Sequence, residues 1–238
     1  MSFPGTQRRM TSSSRRSWLW PVAGQPRLQQ SRSLGSARVR TTWAEVRARA
    51  GLDTRWRGGS VPSNAVFLVT GLSAAGKSTV GRLLAERLTP GVYLEGDFFR
   101  RSIVAGRLEM TPDASPEALA QLRLRYRLAA DSAEAYFGEG FNVVLEDVAA
   151  GPFLSEFVER IQSRPLHVVV LIPSAEAVAE REASREASGY HSFSVGQLHE
   201  GFVKETPRIG LWLDSSEQTP EQTVDEILAR SDEALVPA

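Results

Sequence analysis

Residues 65–78 read Ala65-Val-Phe-Leu-Val-Thr-Gly71-Leu-Ser-Ala-Ala-Gly76-Lys77-Ser78, an apolar, β-branched run followed at once by G-x-x-x-x-G-K-S. The run before the first glycine suits a buried strand. Beyond the loop, Val80, Leu83, Leu84 and Leu88 recur at i, i+3, i+4 and i+8, one face of a helix. Strand, glycine-rich turn and helix in that order aim backbone N–H groups and the positive end of a helix dipole at one spot. Gly71 and Gly76 let the backbone approach anion oxygens where a Cβ would intrude. The expected phosphate cradle is Gly71, Leu72, Ser73, Ala74, Ala75, Gly76, Lys77, Ser78 and Thr79, with Lys77 reaching the β- and γ-phosphates of ATP and Ser78 offering a hydroxyl to Mg²⁺. Of the 28 lysines and arginines only Lys77 and Lys204 are lysines, so the lysine in the motif is not background usage.

Charge divides the chain. Residues 1–60 carry twelve arginines against Glu45 and Asp53, a net charge of +10, and residues 61–238 carry −10. The first segment is rich in Arg, Ser and Gln and has no apolar periodicity before Trp43, so it cannot bury enough surface to offset its chain entropy. It reads as a disordered basic extension, either a transit-like leader or a stretch outside the mature protein. Residues 61–238 have the size of one α/β domain. Cysteine is absent, which excludes disulfides, thiolate catalysis and Cys-based zinc sites. No apolar run approaches the roughly 20 residues of a membrane span, and the expected location is the cytoplasm.

Four further apolar runs suit buried parallel strands: Val92-Tyr-Leu, Val143-Val-Leu, Val168-Val-Val-Leu-Ile and Leu211-Trp-Leu. Helical patterns separate them. Ser115-Pro116 reads as an N-cap with proline at N1, opening a long helix with Leu119, Leu122, Tyr126, Ala129, Ala133 and Tyr136 on one face. Thr219-Pro-Glu-Gln222 is a capping box. Alternating strands and helices predict a three-layer, doubly wound, parallel five-stranded α/β sheet, with ligands at the carboxyl ends of its strands.

Acids cluster at those ends. The second strand runs into Glu95-Gly96-Asp97, with Arg100 and Arg101 close behind, and the third runs into Glu146-Asp147. A carboxylate there can hold Mg²⁺ through water or accept a proton from a substrate hydroxyl. Asp97 is the expected catalytic carboxylate. Ser78 and Asp147 are the expected metal pair, although only one of Glu146 and Asp147 can face the site. Arg100, Arg101 and Tyr126 are expected at the substrate, with Phe98, Phe99, Met110 and Leu122 forming an apolar wall. Arg181 and Arg185 share a helix face and can close over phosphates to stabilise charge in transfer, or simply pair with Glu180, Glu182 and Glu186 on a solvated helix. His167, His191 and His199 have no metal-binding spacing and read as structural.

The run from Gly71 to Arg101, G-L-S-A-A-G-K-S-T-V-G followed by Y-L-E-G-D-F-F-R-R, resembles the small P-loop phosphotransferases of the kinase branch. Among these the chain is most similar to the chloramphenicol phosphotransferase-like proteins of actinobacteria, over about residues 63–234 and including Thr206-Pro-Arg-Ile-Gly-Leu-Trp-Leu-Asp214. The resemblance implies the P-loop NTPase fold of kinase type. It also implies that Lys77 binds ATP, that Asp97 orients or deprotonates an acceptor hydroxyl, that Arg100 contacts the substrate and that Arg181 and Arg185 cover the phosphates. Adenylylsulfate kinase has D-G-D-N-V-R where this chain has Glu95-Gly-Asp97-Phe-Phe-Arg100, and its phenylalanine-arginine segment has no counterpart after Pro173. A guanine motif, an L-S-G-G-Q signature and a second helical domain are missing, which argues against a GTPase, an ABC-type ATPase and an AAA+ motor. The expected function is an ATP- and Mg²⁺-dependent kinase acting on a hydroxyl of a small molecule resembling an antibiotic or a metabolite. The alternatives are a polynucleotide 5′-OH kinase, suggested by the D-x-x-R at Asp97–Arg100, and a non-catalytic ATP-binding sensor. The acidic domain argues against nucleic acid as a partner; a membrane is not expected, and the oligomeric state is left open.

Overall fold

The computed structural model describes residues 64–111, 114–183 and 195–237. The expectations for residues 1–60, Arg185, Glu186 and His191 fall outside them. Among the described residues five strands form one sheet: β1 (Val66–Gly71), β2 (Gly91–Glu95), β3 (Asn142–Glu146), β4 (Leu166–Leu171) and β5 (Leu211–Leu213). All neighbours are parallel and the order is β2-β3-β1-β4-β5. Each strand lies within a residue or two of its predicted run, because short apolar β-branched segments between helical patterns have few other places to go.

Alternation along these strands feeds two separate cores. Val66, Leu68, Val143, Leu145, Val168 and Val170 face one side. There they meet α3 (Pro116–Gly138), α4 (Pro152–Arg160) and α6 (Val195–Glu205) through residues such as Ala129, Phe157 and Phe202. Phe67, Val69, Val144, Val169 and Leu171 face the other side. They pack on α1 (Lys77–Arg87), α7 (Pro220–Ala229) and α8 (Ser231–Ala234). The helices α2 (Gly96–Arg101) and α5 (Ala175–Ala183) follow β2 and β4 directly. This is the expected three-layer arrangement.

Local signals hold at the helix ends. The Ser115 hydroxyl accepts from the Ala118 N–H at 3.3 Å at the start of α3. The Thr219–Gln222 capping box at α7 is complete, with both reciprocal bonds made. The α3 face departs from expectation at its last turn. Tyr136 is exposed there and meets Phe141 edge-on at 5.9 Å.

His167 is structural. Its ring stacks on Phe67 at 4.5 Å and its Nδ1 bonds the Ser231 carbonyl at 2.9 Å. Burial holds the imidazole below its ordinary range, against the pull of the Ser231 carbonyl and Asp232. A depressed folded pKa contributes stability that is present above the unfolded value of about 6.5 and lost as pH falls through the folded one. The urea midpoint should therefore drop between about pH 7 and pH 5. His167→Gln should flatten that slope, and parallel slopes for the two proteins would exclude His167 as its source.

Candidate functional site

The loop between β1 and α1 is shaped by one close approach. Gly71 has φ +143°, and a Cβ on it would stand 2.3 Å from the Leu171 carbonyl oxygen, so only glycine lets β1 turn here against β4. Gly76 caps α1 at φ +93°, and its carbonyl accepts from the Val80 N–H at 3.0 Å. Lys77 is 6% exposed, and its Nζ donates to the Leu72 carbonyl across the loop at 2.8 Å. The turn encloses its own lysine, a cation poised at a helix N-terminus. That combination suits an anion.

Strand alternation decides which acid joins it. Val144 packs in the core that includes Val80 and Leu84 of α1, and Glu146, two residues on, shares that face. Its Oε2 accepts from the Ser78 hydroxyl at 3.1 Å and from the Tyr93 hydroxyl at 3.0 Å, and its Oε1 lies 3.9 Å from Lys77 Nζ. Asp147 takes the opposite face, the one covered by α3. There Arg125 donates to its Oδ1, as does the Val148 N–H at 2.7 Å. So the structure turns Glu146, and not the expected Asp147, towards Ser78.

Asp147 lies beneath the start of α2. A Cβ on Gly96 would come within 2.1 Å of its Oδ2, so glycine is what lets the carboxylate lie under that helix. Burial pushes the Asp147 carboxyl up to about 7, against the pull of the Arg125 guanidinium. Its Oδ2 and the neighbouring Arg125 Nε are buried without a partner, an arrangement that costs about 1–3 kcal/mol for such a group. Arg125 also approaches Asp97, with Nη1 3.8 Å from Oδ1.

Asp97 stands in the first turn of α2, ringed by arginines. Arg100 Nε donates to its Oδ1 at 2.6 Å, and Arg101 Nη1 to its Oδ2 at 2.9 Å. Burial would raise the Asp97 carboxyl, but Arg100 first, then Arg125 and Arg101, bring it below the ordinary carboxylate range. Both α2 arginines have second acids: Arg100 bonds Glu109, and Arg101 bonds Glu95 at 3.0 and 3.1 Å. Phe98, Leu108 and Met110 are exposed on this side, together with Val104.

Tyr126, expected at the substrate, is a core residue. It is 1% exposed, stacks on Phe157 at 4.3 Å and donates its hydroxyl to the Val148 carbonyl at 2.8 Å. Leu122, expected in the apolar wall, is likewise buried in the core. Tyr126→Phe should cost about 1 kcal/mol in chemical denaturation by stranding that carbonyl; an unchanged midpoint would contradict the bond. Its neighbour Arg125, which reaches both Asp147 and Asp97, is a member of this cluster that the sequence did not reveal. An arginine beside a core position, in a stretch with Arg123 and Arg127, carries no distinguishing spacing.

Arg181 lies against the loop. Its Nη1 approaches the Ala75 carbonyl at 3.5 Å, and its Nη2 donates to the Ser215 and Ser216 carbonyls at 2.8 and 3.3 Å. Among the described residues no group of three or more His, Asp or Glu could hold a metal. A Ser78–Glu146 pair is the kind of sparse, oxygen-only set that suits Mg²⁺, which keeps several waters and binds alongside phosphates. None of the described helices is long and apolar enough to cross a membrane.

A protein-family model described as an AAA domain matches residues 66–199. Among solved structures, a sugar kinase from a Janibacter species superposes with a TM-score of 0.54 at 20% identity, covering 73% of this chain and 96% of that one. The tunicamycin resistance protein of Deinococcus radiodurans gives 0.52 at 17% identity, covering 74% and 99%. The Mycobacterium tuberculosis APS kinase in complex with AMPPNP and APS gives 0.51 at 18% identity, covering 71% and 97%. These likenesses establish the fold. No curated protein matches the chain.

Proposed function

The chain belongs to the AAA domain family, and from that premise we propose that it is an ATP- and Mg²⁺-dependent phosphotransferase that moves the γ-phosphoryl group to a hydroxyl of a small molecule. The observation that carries this reading is the placement of Lys77, Ser78 and Glu146 around one turn, with Asp97 held ionised among arginines at the next strand end. The neighbours named as kinases lend support at the level of fold, and the chloramphenicol phosphotransferase-like resemblance favours an antibiotic- or metabolite-like acceptor.

In this account the loop N–H groups and Lys77 hold the β- and γ-phosphates, and Lys77 gives up its bond to the Leu72 carbonyl to do so. Mg²⁺, when bound, neutralises charge on the phosphate oxygens. Ser78 would hold it directly, with Glu146 acting directly or through water, a better-placed partner than Asp147. Asp97 orients the acceptor hydroxyl. As the acceptor oxygen forms its bond to Pγ, the bond from Pγ to the bridging oxygen breaks, ADP leaves with the electron pair, and the hydroxyl proton passes to Asp97. A carboxylate held below its ordinary range is a weak base, which fits a loose transition state in which the proton moves late. Arg100 and Arg101 would exchange an acid partner for the acceptor. Arg181, against the loop, and Arg185, four residues on in sequence, would cover the transferring group. The need for ATP and Mg²⁺ fits the cytoplasm.

The test is ADP formation from MgATP with pooled hydroxylated metabolites and antibiotics. At least one pool should raise the rate well above that in water. Nucleotide binding with no pool raising ADP formation would favour a sensor, and stimulation by 5′-OH oligonucleotides alone would move the protein to nucleic-acid processing.

A further inference from the structure

Tyr93 lies on β2, and its hydroxyl ends on the carboxylate that faces Ser78. The two hydroxyls of Tyr93 and Ser78 share one oxygen, Glu146 Oε2, at 3.0 and 3.1 Å. The other oxygen, Oε1, points at Lys77 Nζ, 3.9 Å away. Glu146 is therefore contested. Closing that gap would pair an ionised donor with an ionised acceptor, where each hydroxyl bond has only the acceptor's charge. It would turn the carboxylate from Ser78 and hold the lysine from an incoming phosphate.

The Tyr93 ring is itself fixed. The Arg82 guanidinium covers it at 4.9 Å from the centroid. Gly81 lies close as well: a Cβ there would press Cε2 at 3.1 Å.

We propose that Tyr93 is a positioning residue for metal binding: its hydroxyl pins Glu146 so that the carboxylate serves Ser78 and the metal while Lys77 is released to the phosphates. The inference rests on the reading of this loop as a Mg-nucleotide site. Tyr93 acts through Glu146, and its hydroxyl also meets the Ser78 side chain, in the manner of the outer partners that orient metal ligands elsewhere.

The experiment titrates ATP into the full-length protein, wild type and Tyr93→Phe, in excess EDTA and in Mg²⁺. Mn²⁺ binding in the presence of AMPPNP is followed in parallel by electron paramagnetic resonance. The metal-free affinity should be the same for both proteins. The gain in affinity that Mg²⁺ confers, and the Mn²⁺ affinity, should fall about tenfold in Tyr93→Phe. Arg82→Met, which uncovers the ring without touching Glu146, should give a smaller loss of the same sign and guards against misfolding of the first variant. A full metal effect in Tyr93→Phe would overturn the inference and leave the proposed function standing. A wild type that binds ATP equally with and without Mg²⁺ would overturn the metal site and the inference together.

Discussion

Replacing Lys77 by alanine should lower kcat/KM for phosphoryl transfer by about a thousandfold, the scale seen when a preorganised donor to developing charge is removed. Lys77 is the only lysine near the loop, and the structure keeps its Nζ inside the turn, bonded to the Leu72 carbonyl at 2.8 Å. The loss should fall on ATP affinity as well as on turnover, because the ammonium meets phosphate in both the ground state and the transition state. The fold should survive. Glu146 keeps the Ser78 and Tyr93 hydroxyls when the distant ammonium goes, so no carboxylate is stranded. Titration calorimetry and a thermal melt separate these effects. An alanine variant that melts normally and transfers phosphoryl at the wild-type rate would remove the loop from the chemistry.

Asp97→Asn should do something different. ATP affinity should be unchanged, and turnover should fall by about a hundredfold to ten-thousandfold, the range expected when a positioned proton acceptor is lost. The amide is nearly isosteric, and both adjacent arginines retain acids, Glu109 for Arg100 and Glu95 for Arg101. The local structure therefore has no reason to collapse. Equal losses of ATP affinity in Lys77→Ala and Asp97→Asn would refute the division between a nucleotide half and an acceptor half of the site.

The sequence carries the fold because its signals are local. Ala65–Ser78 specifies strand, turn and helix within fourteen residues, and Ser115 and Thr219 each cap the helix they open. The side-chain assignments that shifted depend on which face a residue takes. β3 is buried along its whole length, so it shows no polar alternation from which a face can be read. Only the packing of Val144 with α1 and of Leu145 with the α3 side assigns Glu146 to Ser78 and Asp147 to Arg125. Tyr126 was ambiguous for a similar reason. An aromatic on the apolar stripe of a long helix can line a core or a pocket, and here Phe157 takes its ring and the Val148 carbonyl its hydroxyl. Arg125 was hidden because its meaning lies in residues 28 and 22 positions away in sequence, Asp97 and Asp147.

The most direct test of the central claim follows the γ-phosphoryl itself. Full-length wild type and Asp97→Asn are incubated with γ-labelled ATP, Mg²⁺ and the hydroxylated compounds that stimulate ADP formation, and the label is traced by chromatography. The account predicts label on a hydroxyl of a small molecule with the wild type, and a loss of about a hundredfold or more in the rate of its appearance with Asp97→Asn. Label recovered only as inorganic phosphate, or transferred equally fast by both proteins, would contradict it.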